Sequence, residues 1–484
     1  MIAPTGPDAQ ADGRPAGHLV LVGLAASLLR GGFVYVSAVP AAAIFAHELS
    51  KREFGLYATI AGITGLATSL TACGLSLAYA ASKVRPSRRD QRAAAWAALL
   101  LLASVAAVLI GLGAGVAQSA DTKLALCAAA VMLLLYAPRV VPLALLTRRI
   151  ALGRIQAISA LEITLFRLAA VGLLAAGFGF AGFVGALLAG AALGTLLAYR
   201  SQRAPYGSPT LRPLRPWLAR IGPFQGEQTV LAIREQSLPV FVALVAGTAA
   251  AGSFGWAYIL ANLTALMVLP LAPALLAALA SQRSDAEQRA AALSTLRLMS
   301  AAGLAMLALL AVTLPGLTPL VFGSKWISDV SVVWLLIPGA AVNVLMTVCS
   351  PLLQARGEAG RVFRWQAIWL VATLPAGLGF CAIFGVRGLA IVFSLASVGL
   401  AARALTAIEH SVSIPAVGTV IRHAAVAFAA AAAGVGVAIT VGGLPGAVLA
   451  ATLTAVMLAG GLLAVDGSAL RADLALVRKL WRRG

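Results

Sequence analysis

Seven ionisable side chains stand inside stretches that are otherwise apolar. They are Arg30 in SLLRGG, Arg139 in YAPRVVP, Glu162 and Arg167 between Ala157 and Gly177, and Glu227, Arg234 and Glu235 in IGPFQGEQTVLAIREQSLP. At about 3 kcal/mol for each charge in hydrocarbon, exposing all of them to lipid would cost on the order of 20 kcal/mol, beyond a typical net folding stability. They must therefore face water or one another. Guanidinium groups hold phosphate bidentately and stay charged, so Arg30, Arg139, Arg167 and Arg234 are the candidate substrate-binding residues for an anionic ligand. Carboxylates in the same setting can take up a proton or a sodium ion, which makes Glu162, Glu227 and Glu235 the candidate ion-coupling residues.

Arg30 lies about midway along its span with no acid nearby in sequence, and Gly31 and Gly32 leave room for close approach. A cavity-facing anion site is favoured over a structural partner for a helix carbonyl or for an acid on another span. Arg139 stands between Pro138 and Pro142, so its helix is expected to break there and free backbone groups; it is also near enough to the cytoplasmic end to snorkel. Five residues separate Glu162 from Arg167, which puts them on different faces and argues against a simple pair within the helix. Glu227 and Arg234 are seven apart, on one face, and Gln228 and Glu235 repeat that spacing. This stripe either lines something wet or forms a polar seam that fixes helix packing.

The elements that carry these residues are membrane spans. Of 484 residues 61% are apolar and 11% charged, outside the range of soluble domains. The apolar runs approach the roughly 20 residues needed to cross a hydrocarbon core about 30 Å thick, and lack the alternation of barrel strands. The fold class is all-α and polytopic. The spans run Leu19–Phe45, Phe54–Ser82, Ala93–Ala117, Leu124–Leu146, Ala157–Gly177 and Ala181–Tyr199, then Leu218–Val245, Ser253–Ala280, Leu293–Leu314, Val330–Leu353, Trp365–Phe384 and Leu389–Ala407, with Ala424–Val441 and Gly446–Val465 making about fourteen. In domain terms these are a disordered cytoplasmic tail (1–17), an N-lobe (18–204), a cytoplasmic linker (205–217), a C-lobe (218–410), two further helices (411–465) and a basic cytoplasmic tail (466–484).

Lys and Arg gather in the breaks after even-numbered spans, as at Lys83 to Arg92, Arg148 to Arg154 and Arg200 to Arg220, which places both termini in the cytoplasm. Most of the net charge of +20 is therefore topological, and nucleic acid is not an expected partner. Leu470–Trp481 reads either as a basic amphipathic helix on anionic headgroups or as a plain positive flank. Cys73, Cys127, Cys349 and Cys381 lie in apolar segments without CxxC spacing and read as packing residues; His18, His47, His410 and His423 stand near span ends and read as interfacial. The chain has no P-loop, metal-ligand cluster or hydrolase nucleophile motif, so no cofactor or metal is expected.

One phrase recurs. FGLYATIAGITGL (54–66) and FGWAYILANLTAL (254–266) share five of thirteen residues and each opens the second span of a set of six. Six is even, so the halves form a parallel repeat about an axis along the membrane normal, with a cavity between them; chance likeness between Ala/Leu-rich helices is the alternative. Pro40, Pro239, Pro270, Pro273, Pro338 and Pro375 are candidate hinges. Gly111–Gly115 and Gly190–Gly194 have the spacing for close helix packing.

ELSKREFGLYA with TACGLSLAYA in the first half, and TAAAGSFGWAYILANL, LVFGSKW and LLQARGEAGR in the second, resemble the multidrug/oligosaccharidyl-lipid/polysaccharide (MOP) exporter superfamily, in its polysaccharide-synthesis, Wzx-type flippase branch. The resemblance implies two bundles around a central cavity, alternating access, and a substrate of sugars linked through pyrophosphate to undecaprenol, as in O-antigen (lipopolysaccharide) or exopolysaccharide repeat units. It places Arg30 where relatives carry a first-span cation. SLLRGG lacks the paired arginines and acid of the lipid II flippase branch, and the first span lacks the Asp of drug exporters.

The expected function is thus a flippase of the bacterial cytoplasmic (inner) membrane and not an enzyme. Its expected partners are an undecaprenyl-pyrophosphate-linked glycan and the lipid bilayer, with H+ or Na+ as the coupling ion, and the polymerase or glycosyltransferases of the same pathway. A cation-coupled multidrug exporter is the alternative within the class. A membrane-bound polysaccharide polymerase or ligase is the alternative outside it, disfavoured because the longest outer break, Pro315 to Asp329, holds only Lys325 and Asp329 as ionisable groups.

Overall fold

The computed structural model describes residues 40–81, 86–115, 117, 119–149, 151–204, 207–208, 229–230, 232–268, 285–356 and 358–481. The expected tail at 1–17, Arg30 with most of its span, residues 209–217 of the linker, and Glu227 lie outside them. All regular structure among the described residues is helical, as composition requires. After a helical segment at residues 40–48 come α1 (Lys51–Ala81), α2 (Arg88–Gly115), α3 (Ala120–Tyr136), a 3-10 turn (Ala137–Arg139), α4 (Val140–Arg148), α5 (Leu152–Ala175), α6 (Gly179–Ser201), α7 (Leu238–Ala246) and α8 (Thr248–Val268). Then follow α9 (Asp285–Val321), a 3-10 turn (Ser324–Asp329), α10 (Val330–Ala355), α11 (Ala359–Val412), α12 (Ala416–Val441) and α13 (Gly443–Trp481).

Ten helices among the described residues are long and apolar enough to cross a membrane. They correspond to expected spans two to six and nine to fourteen, one helix covering two. That helix is α11, where Gly385 leaves the helical region at φ 64° and ψ −160°. A Cβ on Gly377 would come within 2.7 Å of Leu389, so the chain doubles back there. Local chemistry sets the helix starts. Ser50 takes the Glu53 amide while its own amide reaches Glu53, and Ser87 and Asp90 do the same for α2, so orphan donors are met reciprocally at both ends.

The chain divides into two compact units, residues 2–255 and 256–484. The first is centred on aromatic packing in which Phe183 meets Phe45, Tyr57 and Phe166 with ring centroids 5.0, 5.1 and 5.4 Å apart. Within it Gly55 of α1, in the first copy of the repeated phrase, and Gly252, two residues before the second copy, pack backbone to backbone: a Cβ on Gly55 would run into the Thr248 carbonyl and one on Gly252 into the Lys51 carbonyl. In the second unit α10 packs on α11, α12 on α13, and α9 on both α12 and α13. Trp326, fully buried, stacks on Trp256 at 5.1 Å. Cys349 and Cys381 are buried as expected, whereas Cys127 is exposed.

The expected break beginning at Pro315 is a correction, because α9 continues through Pro315 and Pro319 to Val321. Proline cannot donate to the carbonyl four residues back, which here is Ala311 O, and the Trp334 indole N–H supplies that bond at 3.0 Å. Pro338 inside α10 is met in a similar way. One residue on, Gly339 N donates to Ser394 Oγ at 3.2 Å and the same hydroxyl donates to Leu335 O at 2.6 Å, so a serine of α11 bridges a helical donor and acceptor. Replacing Ser394 with Ala strands a buried N–H and C=O. It is expected to cost about 1–3 kcal/mol, read as a lower melting temperature of the detergent-solubilised protein.

Candidate functional site

Of the seven residues singled out, the structure brings Arg139 and Glu162 together. The sequence APR makes this local geometry: Pro138 interrupts the helical ladder, and residues 137–139 tighten into a 3-10 turn with Val140 N bonded to Ala137 O. Across the turn Thr195 Oγ1 of α6 donates to Leu135 O at 2.8 Å. The expected break at Arg139 is present, and a neighbouring hydroxyl bonds a carbonyl beside it.

Arg139 NH1 lies 2.7 Å from Glu162 Oε2, and the guanidinium carbon is 3.7 Å from the centre of the Tyr136 ring. Tyr136 OH donates to the other carboxylate oxygen at 3.3 Å. Both oxygens of Glu162, near the middle of α5, are therefore engaged, and its negative charge is matched within the same unit. The side chains are 19% and 17% exposed, so the pair is sheltered and still reachable. Tyr136 thus touches both members of the pair, the guanidinium over its ring and the carboxylate through its hydroxyl.

Close packing of α6 on α5 makes room for this arrangement. A Cβ on Gly190 would approach Glu162 O at 2.9 Å, and one on Gly194 would collide with the Glu162 carboxylate, 2.7 Å from its carbon and 3.2 Å from Arg139 NH1. The 190–194 glycine pair thus does what its spacing suggested. The 111–115 pair, with the same spacing, faces open space.

Arg167 points elsewhere on α5: it is half-buried, within electrostatic range of Tyr57 on α1. Arg234 is buried, its NH2 3.6 Å from Oε1 of Glu235, which is itself exposed. Arg30, Glu227 and Gln228 lie outside the described residues. Sequence reasoning passed over Tyr136, Thr195 and Gly194 as parts of the site. Tyr136 was accessible in principle, three residues before Arg139 and hence on its face.

This arrangement can hold an anion, and its carboxylate can exchange a proton or a cation. A family model described as polysaccharide biosynthesis protein matches residues 44–331. Among solved structures, the lipid II flippase MurJ in an inward closed conformation is similar with a TM-score of 0.74 and 12% identity, over 93% of this chain and all of that one. An inward-facing multidrug resistance MATE transporter of the MOP superfamily gives 0.59 at 19% identity, over 78% of this chain and 94% of that one. A MOP superfamily transporter from Pyrococcus furiosus gives 0.55 at 15%, over 85% and 99%. At such identities these likenesses speak for the fold. No curated protein matches the sequence significantly.

Gly194→Ala is expected to push the carboxylate off Arg139 and destabilise the protein by about 1–3 kcal/mol. Gly185→Ala, on the same helix with open space at its Cα, should be neutral or stabilising. Melting of the two variants in detergent compares them directly.

Proposed function

The chain belongs to the polysaccharide biosynthesis protein family, and on that premise we propose that it is a flippase. It carries an undecaprenyl-pyrophosphate-linked oligosaccharide, an O-antigen or exopolysaccharide repeat unit, across the bacterial cytoplasmic membrane by alternating access, with both termini in the cytoplasm. The observation that carries this reading is Arg139: a guanidinium within the helices, paired with Glu162 in a sheltered place that a ligand can still reach. A hydrated glycan bearing a pyrophosphate cannot cross hydrocarbon unaided, whereas a guanidinium matches phosphate geometry and keeps its charge. The headgroup then passes along a wet path served by Arg139 together with Arg30, Arg167 and Arg234, while the prenyl chain stays in lipid.

Glu162 makes such a path controllable. As a carboxylate it competes with phosphate for Arg139; once it takes up a proton or pairs with sodium, the guanidinium is released to the substrate. Glu227 and Glu235 are further candidates for the same exchange. Export of a negative charge from a negative interior also gains about 2.3 kcal/mol per charge per 100 mV, so the membrane potential assists. The polymerase and glycosyltransferases of the same pathway are the proposed partners.

Export assays test this in cells that depend on the protein. Arg139→Ala and Arg30→Ala should each lower surface polysaccharide roughly tenfold or more, the worth of one charge-assisted hydrogen bond, with lipid-linked intermediate accumulating inside; Lys at either position should retain part of the activity. Wild-type polysaccharide in all four variants would refute the reading. Gain of drug sensitivity without loss of polysaccharide would instead assign the chain to multidrug export.

A further inference from the structure

His423 of α12 is 1% exposed, and two other helices hold it. Its Nδ1 lies 2.7 Å from Ser300 Oγ of α9, and its Nε2 lies 3.0 Å from Asp466 Oδ2 of α13. Serine, histidine and aspartate in that order suggest a hydrolase, but Ser300 has no exposed surface, so no substrate carbonyl can reach its hydroxyl.

Counting hydrogens gives another answer. Ser300 Oγ also lies 2.6 Å from Leu296 O, a separation at which the serine hydrogen must stand between the two oxygens. With that hydrogen used, the bond between Ser300 and the ring must come from Nδ1–H. The contact between Nε2 and the carboxylate then needs a further hydrogen, which the imidazole, the more basic partner, carries on Nε2. The three contacts together require one proton more than a neutral imidazole and an ionised carboxylate contain. We propose that Ser300, His423 and Asp466 form a proton-binding site, and that this arrangement is its loaded state.

The charged groups facing the imidazole are Asp466 of α13, Arg297 of α9 and Arg422 of its own helix, whose NH2 is 3.4 Å from Asp466 Oδ1. From α11, Glu409 Oε1 accepts the Val417 amide at the start of α12. When the proton leaves, the Ser300 hydroxyl must turn from Leu296 O to Nδ1, and the bond to Asp466 loses its ionic character. Asp466 is also where α13 departs from helical geometry, at φ −137° and ψ 22°, between its apolar run and the segment carrying Arg471, Arg478 and Lys479. Proton occupancy and the seating of that joint are therefore linked: the ionic hold is complete with the proton bound and is lost as pH rises through the site's midpoint.

Nitrogen NMR of the full-length protein in detergent micelles, with 15N-labelled histidine and the His423 signals identified by their loss in His423→Gln, reads the site directly. The expected result is a ring protonated on both nitrogens at low pH that loses one proton between about pH 5 and pH 8. Asp466→Asn should lower the midpoint by about one unit, a tenfold loss of proton affinity. A wild-type ring that stays a single neutral tautomer throughout would overturn the proposal, as would a midpoint unchanged in Asp466→Asn. Should that variant not fold, the wild-type titration decides alone, because a purely structural histidine would stay neutral.

Discussion

Hydrocarbon offers no hydrogen bonds, so each donor, acceptor and charge on a spanning helix needs a partner from the chain itself. Much of the architecture is an answer to that constraint. Trp334 serves the carbonyl that Pro315 cannot, Ser394 bridges a donor and an acceptor beside Pro338, and Thr195 bonds a carbonyl at the turn before Arg139. In each case a side chain from a neighbouring helix does the work, so a local interruption becomes a fixed point between two helices.

Charges obey the same rule with more at stake. Glu162 without Arg139 would be a sheltered, unmatched carboxylate, and removing one partner of such a pair costs more than the pair itself is worth. Gly194 shows how narrow the solution is, since one methyl group there would occupy the carboxylate's place. The same pair that satisfies the helices is the one whose loosening the proposed transport requires. Stability and function draw on one interaction and cannot be optimised separately.

What could be read from the sequence followed the range over which each signal acts. Long apolar runs announce spans wherever they occur, and Pro138 announces a break within its own turn. Partner choice does not work that way: Arg139 and Glu162 lie 23 residues apart on different helices, and only packing of α5, α6 and the turn joins them. Equal glycine spacing at 111–115 and 190–194 led to open space in one case and contact in the other, because spacing marks a face without saying what covers it. Pro315 was misleading since its missing N–H matters only if no indole stands in for it. The partners of His423 were equally out of range, since Ser300 and Asp466 lie 123 and 43 residues away on other helices.

The meeting of α1 and α8 at Gly55 and Gly252 has a mechanical corollary. Helices that interlock through large side chains must unthread them to move, whereas two bare polypeptide surfaces can roll or part with few rotamers to rearrange. Main chain set against main chain at Gly55 and Gly252 is thus a contact with no side chains to unthread, and one intolerant of even one added methyl.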